Sequence, residues 1–250
     1  MNQIVFLGSG GARIVVFKQI RASGGIWMTL DETQMLVDPG PGCLVRCINS
    51  KANLDPTTLD GIILSHRHLD HSADVNVMIE AMTQGGFEPR GAVFAPEDAL
   101  EDDPVILRYI RKYVPRIEIL EEGKEYGLKN IKFNTPIRHR HGGETYGINF
   151  IGREQSISYI ADTKYFEGIE TYYHGDVFII NVLREKPSEI DHLCIEDAKK
   201  IIRQAKPKLT ILTHFGMQII KSKPWEVAAQ ISNEFGLQVI AANDGMKIEI

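Results

Sequence analysis

Residues 61–74 read GIILSHRHLDHSAD. An apolar run bounded by polar residues predicts a short buried strand, and the polar residues after it predict a loop leaving the strand's end. His66, His68, Asp70 and His71 all stand within six residues of one another. Imidazoles two apart in an extended segment point to one side, so His66 and His68 can hold one ion together. Asp70 and His71 come one turn later, at the start of a predicted helix, and can face a neighbouring ion. A lone histidine is more often a surface or hydrogen-bonded core residue; three with an aspartate, straight after a strand, read as a metal site. Mixed imidazole and carboxylate ligation suits Zn²⁺, Mn²⁺ or Fe rather than Ca²⁺.

Other apolar runs end in the same residue types: Asp38 in MLVDPG, Asp162 in YIADT and His214 in ILTHFG, with His141 in RHRHGG. Strand ends converge on one rim of a sheet, so such residues can meet in space while distant in the chain. RHRHGG holds a second H-x-H, His139 and His141, and spacing alone leaves either one able to join the first cluster.

Strand patterns recur in QIVFLG, GIWMTL, QMLVDPG, IKFNTPI, YGINFIG, SISYIAD, VFIINV, LTILTH and KIEI. Helical spacing is read in SADVNVMIEAMTQGG, DPVILRYIRKYV (103–114), IEDAKKIIRQA and PWEVAAQISNEFG. Strands in runs with helices interspersed predict an α/β fold, packed sheets with helices outside. No repeat, low-complexity tract or linker divides the chain, which reads as one domain over 1–250.

Of the 250 residues, 43% are hydrophobic and 24% charged, as in ordinary globular chains. No apolar run approaches the ~20 residues of a membrane span. The start, MNQIVFLGSGG, reads as a first strand rather than a signal peptide. A net charge of −5 gives no global attraction for nucleic acid. Three cysteines without a C-x-x-C pair argue against a disulfide framework and for a reducing, cytoplasmic setting. FLGSGGAR lacks the G-x-G-x-x-G spacing, and no helix pattern comes after it, so a dinucleotide fold is not expected. The turn could contact phosphate or simply reverse the chain tightly.

H-x-H-x-D-H after an apolar strand resembles the signature of the metallo-β-lactamase-fold hydrolases. MLVDPGPG is similar to that family's Asp-x-Gly segment, ADT to its bridging-aspartate segment and LTHFG to its last ligand histidine. The resemblance covers most of the chain. It implies a four-layer αββα sandwich with two divalent metal ions, zinc foremost, at one edge of the sheets. One ion would take His66, His68 and a third histidine; the other would take Asp70, His71 and His214, with Asp162 bridging. Asp38 resembles a residue that orients the ligands, although an Asp before Pro-Gly is equally at home in a turn.

Within the family, HGGETYG (141–147) matches the branch of 3′ tRNA-processing endonucleases and small phosphodiesterases, where three residues separate the ligand histidine from a Thr/Ser-aromatic-Gly strand. That makes His141 the third ligand. It leaves His139 a neighbour pointing across the strand or to solvent, expected to tolerate mutation. HLCIEDAKKI resembles the branch's segment whose histidine donates a proton to the leaving group, which assigns that role to His192; the alternative is a histidine that merely flanks its helix. The implied reaction is phosphodiester hydrolysis by a metal-bridged hydroxide, with Asp70 also orienting the nucleophile.

The implied substrate is a small, nucleotide-like phosphodiester. Only 21 residues separate His141 from Asp162, too few for an RNA-binding arm, and Pro-Gly-Pro-Gly replaces the branch's acidic turn after Asp38. Two other readings remain open: hydrolysis of a carboxylic ester, thioester or lactam on the same metals, and a metal-loaded binding module without catalysis. No role is assigned to His174 or to residues 98–115, a possible lid or dimer face, and the oligomeric state is left open.

Overall fold

Alternation decides the layers. In the strand Gln3–Phe6 (β1), Ile4 and Phe6 face one apolar cluster and Val5 another, and all three are fully buried. A strand buried on both faces lies inside a stack of layers. The computed structural model, which describes residues 2–101 and 103–250, has two such sheets.

Ile26–Leu30 (β2), Thr33–Val37 (β3), Gly61–Ile63 (β4), Ala92–Ala95 (β5) and Arg116–Ile119 (β6) extend the first sheet from β1. The second is built from Lys124–Leu128 (β7), Ile131–Thr135 (β8), Ile148–Ile151 (β9), Ser156–Ile160 (β10), Val177–Asn181 (β11), Leu209–Thr213 (β12) and Gln238–Ala241 (β13). Met246–Glu249 (β14) returns to the first sheet and pairs antiparallel with β1. Among the described residues each sheet has seven strands. Its pairings are antiparallel in one half, from β14 to β3 and from β7 to β10. They are parallel in the other half, from β3 to β6 and from β10 to β13.

Between the sheets, Phe94, Tyr126, Phe133 and Phe150 stack or meet edge to face, with ring centroids 4.8–5.8 Å apart around Phe133. The outer face of the first sheet is covered by Cys43–Ile48 (α2) and Val75–Met82 (α4), through Cys43, Cys47, Met78 and Met82. The outer face of the second is covered by Ile195–Ala205 (α5), Met217–Lys221 (α6) and Pro224–Phe235 (α7). Helix α5 shows why. Ala198, Ile201 and Ile202 make one buried stripe, and the Cys194 N–H at its start donates to Asp197. The chain turns left-handed at Lys206, immediately before Pro207. This is the four-layer αββα order expected above. No helix among the described residues is long and apolar enough to cross a membrane.

Three expectations need correction. The helix predicted over 103–114 is not formed; the described part is a run of turns with one 3₁₀ turn at Arg111–Tyr113. Arg111 occupies the Ile106 carbonyl that the Ile110 N–H would use in a helix, and Ile110 bonds Leu107 instead. Asn76 of α4 fastens Val105 and Leu107 from the other side. Secondly, a helix does begin at the end of FLGSGGAR and run beyond it: Ala12–Lys18 (α1). Its ARIVVFK sequence is apolar on too many faces to show a period, since Ile14 and Phe17 stay exposed. Thirdly, β5, β6, β7 and β13 were not among the predicted strands. AVFA is only four residues long, and RIEI and KEYGL are charged edge strands.

Asp244, in the turn between β13 and β14, ties that turn to the segments on either side of α1. Its Oδ1 accepts from the Ser9 N–H (3.0 Å) and hydroxyl (2.7 Å), and its Oδ2 from the Ala22 N–H (2.7 Å).

Candidate metal centre

The site forms where strands end. Asp38 follows β3, residues 64–68 follow β4, Asp162 lies two residues beyond β10, Asn181 closes β11 and His214 follows β12. His71 sits in the one-turn helix Leu69–Ser72 (α3). His141 arrives on the loop between β8 and β9, which is pinned by the Tyr146 N–H donating to the Ser65 carbonyl (3.0 Å). His192 arrives on the segment between β11 and α5. Asp38 and His214 both take left-handed backbone, with φ of 52° and 62°. Such residues cluster at functional sites, held there by their surroundings.

His66 Nε2 and His141 Nε2 lie 3.1 and 3.0 Å from His68 Nδ1. Their protons can be traced. The Ser65 hydroxyl donates to Asp38 (2.6 Å), so it accepts from His66 Nδ1–H (3.0 Å). His141 Nδ1–H donates to the Asp191 carbonyl (2.8 Å). Both Nε2 atoms of the neutral rings therefore carry lone pairs, aimed at a third ring nitrogen that has at most one proton to share. A single cation satisfies all three. Nitrogens on one tetrahedral zinc lie about 3.3 Å apart, close to these separations.

The second group repeats the pattern. His71 Nδ1–H donates to Asp38 Oδ2 (2.9 Å), and His71 Nε2 lies 3.0 Å from His214 Nε2. Asp70 Oδ2 is 3.4 Å from His214 Nε2 and accepts from the Ala12 N–H (3.2 Å). His214 Nδ1 is buried with no partner. Asp162 Oδ2 stands between the groups, 3.3 and 3.5 Å from His71 and His214 Nε2, and 3.9 and 4.0 Å from His66 and His141 Nε2. His192 Nε2 is 3.2 Å from the same oxygen. The sets His66/His68/His141, Asp70/His71/His214, His66/His71/Asp162 and His141/Asp162/His192 could each hold an ion.

Charge points the same way. Burial would lower the pKa of His71, yet Asp162, Asp70 and Asp38 together raise it well above the ordinary imidazole value. Burial likewise opposes ionisation of Asp162, and His214, His71 and His192 overcome it, holding the carboxylate far below its usual range. Three carboxylates thus demand positive charge inside a buried pocket. Divalent ions held by these imidazoles and carboxylates would supply it.

Residues 33–215 match the β-lactamase superfamily domain. A protein of Methanocaldococcus jannaschii, itself uncharacterized, is 32% identical over 260 residues, which span 99% of this chain and 95% of the relative. The chain belongs to the metallo-β-lactamase superfamily. Its fold is that of the metallo-β-lactamase fold protein YhfI from Bacillus subtilis, with a TM-score of 0.81 at 17% identity over 100% of this chain and 99% of that one. A diphosphatase of the PhnP family aligns with a TM-score of 0.74 at 20% identity, over 100% and 98% of the two chains. The short form of human tRNase Z gives 0.74 at 16% identity, over 99% of each. At these identities the three structures establish the fold of the superfamily and nothing finer.

Every residue singled out above from the superfamily resemblance meets in this one centre. His139 departs from its expectation. It is 3% exposed, neither on the surface nor idle: Nδ1–H donates to the Asp162 carbonyl (3.2 Å) and Nε2 accepts from the Tyr173 hydroxyl. His174 is exposed beside a separate hollow of about 530 Å³ that is lined by Tyr173 but by none of the candidate metal ligands. In the 98–115 segment, Asp98 accepts from the Glu144 N–H (3.0 Å) and faces Arg67 at 3.7 Å, so this stretch braces the His141 loop.

Sequence reasoning missed the supports. Tyr159 donates to Asp38 (2.7 Å), and Asn181 Nδ2 reaches both Tyr159 (3.1 Å) and Asp162 Oδ1 (2.9 Å). Ser65 gives Asp38 its N–H (2.7 Å) as well as its hydroxyl. Asn181 ends a strand like the residues that were noticed, and its amide is the one cue that could have been followed. Gly40 allows the Asp38 loop to lie against α3, since a Cβ there would come 2.0 Å from the Asp70 carbonyl.

Proposed function

We propose that this chain is a metal-dependent phosphodiesterase acting on small phosphodiesters, with two divalent ions, zinc foremost. His66, His68 and His141 would hold one ion, Asp70, His71 and His214 the other, with Asp162 between them. Bound there, the ions supply Lewis acidity to a phosphoryl oxygen and acidify water. Asp38 keeps the proton of His71 on Nδ1, leaving Nε2 as the donor atom. Asn181 and His139 hold the carboxylate and the carbonyl of Asp162. Asp70 orients the attacking water, and His192 Nε2–H protonates the departing ester oxygen.

The observation that carries this reading is His192. Its Nε2 lies 3.2 Å from Asp162 and its ring lines the cleft, so a ring nitrogen able to carry a proton stands beside the metal-ligating set. Small substrates are supported by the chain between His141 and Asp162, where β9 and β10 are joined by a four-residue turn at 152–155 without an arm. The net charge of −5 also disfavours bulky RNA.

The test is metal analysis of purified protein with a substrate panel. Metal-dependent cleavage of bis-p-nitrophenyl phosphate is expected. Turnover of thioesters or lactams alone would replace this reading with acyl hydrolysis. Bound metal with no turnover of any substrate would favour a binding module.

A further inference from the structure

The cleft that opens on His68, Asp70, Asp162 and His192 has a volume of about 1020 Å³. Most of its remaining lining is apolar. Helix α1 contributes Ile14 and Phe17, α3 contributes Leu69 at the lip, Ile190 faces in from the loop ahead of α5, and Met217 from the start of α6. These are not ordinary surface positions: Phe17 is 68% exposed, Leu69 70%, Ile14 51% and Ile190 48%. Four large apolar side chains, from three separate segments, surround one hollow that ends at the metal-ligating residues. Polar recognition in the outer cleft is confined to Arg13, Arg184 and Gln218. The Arg184 Nε is buried without a partner.

Concave apolar walls with a few convergent polar groups are the ordinary form of a small-molecule site. A nucleoside needs hydrogen-bonding groups for its base and sugar, and Gln218 is the single amide in this lining. The anionic part of a ligand, in contrast, is provided for by the metal-ligating set and by Arg13 and Arg184. We propose that the cleft takes an amphipathic phosphodiester, one of whose ester groups is a bulky apolar chain lying against α1 and Ile190. This rests on the phosphodiesterase reading and replaces its nucleotide-like substrate with a lipid-like one. Hydrolysis adds water across one P–O ester bond. Hydroxyl goes to phosphorus and the proton to the released alcohol, leaving a phosphomonoester.

The experiment uses the zinc-loaded full chain and p-nitrophenyl alkyl phosphates from methyl to octyl, below micelle concentrations. The leaving group stays constant, so the alkyl group reports on the cleft. Each methylene that is buried is expected to lower KM about fourfold, and octyl should exceed methyl in kcat/KM by at least about tenfold. Phe17→Ser and Ile14→Ser should bring that ratio towards one. Phe87→Ser, which changes an exposed residue away from the cleft, should keep it. An unchanged KM along the series, with the methyl ester still cleaved, would overturn the proposal and leave the phosphodiesterase reading standing. Preference for thymidine 5′-p-nitrophenyl phosphate over the octyl ester would overturn it as well. If no ester is cleaved, the phosphodiesterase reading fails, and calorimetric binding of octylphosphonate against methylphosphonate decides the cleft; equal affinities would overturn the proposal. Sedimentation that reveals a dimer broken by Phe17→Ser, without any chain-length effect, would assign the face to a second copy of the chain instead.

Discussion

His139 and Asp162 are joined by a 3.2 Å hydrogen bond from imidazole Nδ1–H to main-chain carbonyl, and the Tyr173 hydroxyl closes the other side of the ring. His139→Phe keeps the ring's bulk but strands a buried carbonyl and a buried hydroxyl. Unsatisfied buried groups cost about 1–3 kcal/mol each, so chemical denaturation should show a loss of roughly 2–6 kcal/mol. A shift below about 0.5 kcal/mol would return His139 to the dispensable role that its sequence suggested.

The same residue gives stability a pH dependence. Burial lowers its pKa from 6.5 to about 4. The unfolded chain therefore takes up a proton first. The contribution of neutral His139 is full above pH 6.5 and is lost as pH falls towards 4, amounting to about 3 kcal/mol. His66, His68 and His141, lowered mainly by burial, act in the same direction. Unfolding of metal-free protein at pH 7 and pH 4 should show this fall. Its size should shrink in His139→Phe, and an equal fall in both proteins would contradict the assignment.

Asp38 Oδ2 accepts from Ser65, Tyr159 and His71 at once. Asn in its place cannot accept on both sides: either the Ser65 N–H faces an N–H, or the three donors on Oδ2 do. In the first case His71 is left with a neutral amide oxygen, a weaker acceptor than the carboxylate. Supporting groups of this kind are worth about 10–100-fold in metal affinity. Competition of Asp38→Asn against a chelator measures this, and unaltered affinity would show that Asp38 serves only its turn.

His192 can be tested by leaving group. A proton donor matters for an alkoxide and little for p-nitrophenolate, which departs unaided. His192→Ala should lower kcat about 10²–10⁴-fold for dialkyl phosphates, and far less for p-nitrophenyl esters. Equal losses on both, together with reduced metal content, would make His192 a ligand rather than an acid.

Gly147 packs under the His139–Tyr173 pair. A Cβ there would lie 2.1 Å from the Tyr173 hydroxyl and 2.8 Å from His139 Nε2, whereas nothing comes within 4 Å of one at Gly127. Gly147→Ala should cost about 1–3 kcal/mol by overpacking. Gly127→Ala should be neutral or slightly stabilising. Thermal unfolding of the two variants side by side checks the contrast.

Packed sheets with helices outside, and the metal cluster, were legible because both arise from local pattern; the four-layer order came only with the family resemblance. Apolar runs ending in His or Asp mark strands whose ends carry chemistry, and the bounds of α5 could be read from its stripe and from Pro207. What could not be read depends on partners distant in the chain. Tyr159 looks like any core aromatic until the packing of the two sheets brings its hydroxyl to Asp38, 121 residues away. His139 and His141 are chemically identical in sequence. The family resemblance alone picks out His141; the physical cause is a loop clamped at Arg138 and Tyr146, which directs one ring at His68 and the other at a carbonyl. Helix α1 was missed because its apolar residues face the cleft as well as the core.

The clamp of Asp244 on Ser9 and Ala22 has a consequence for the chain during its synthesis. His214 is made 143 residues after His71, and Asp244 later still. At roughly 5–20 residues per second, a ribosome leaves the first histidines waiting about 7–30 s for their partner. Until then they are donors on an unfinished surface, open to whichever ion arrives. The second ion group is therefore expected to assemble only once residues 214–244 have been made, the later loop completing the cup that the earlier one began.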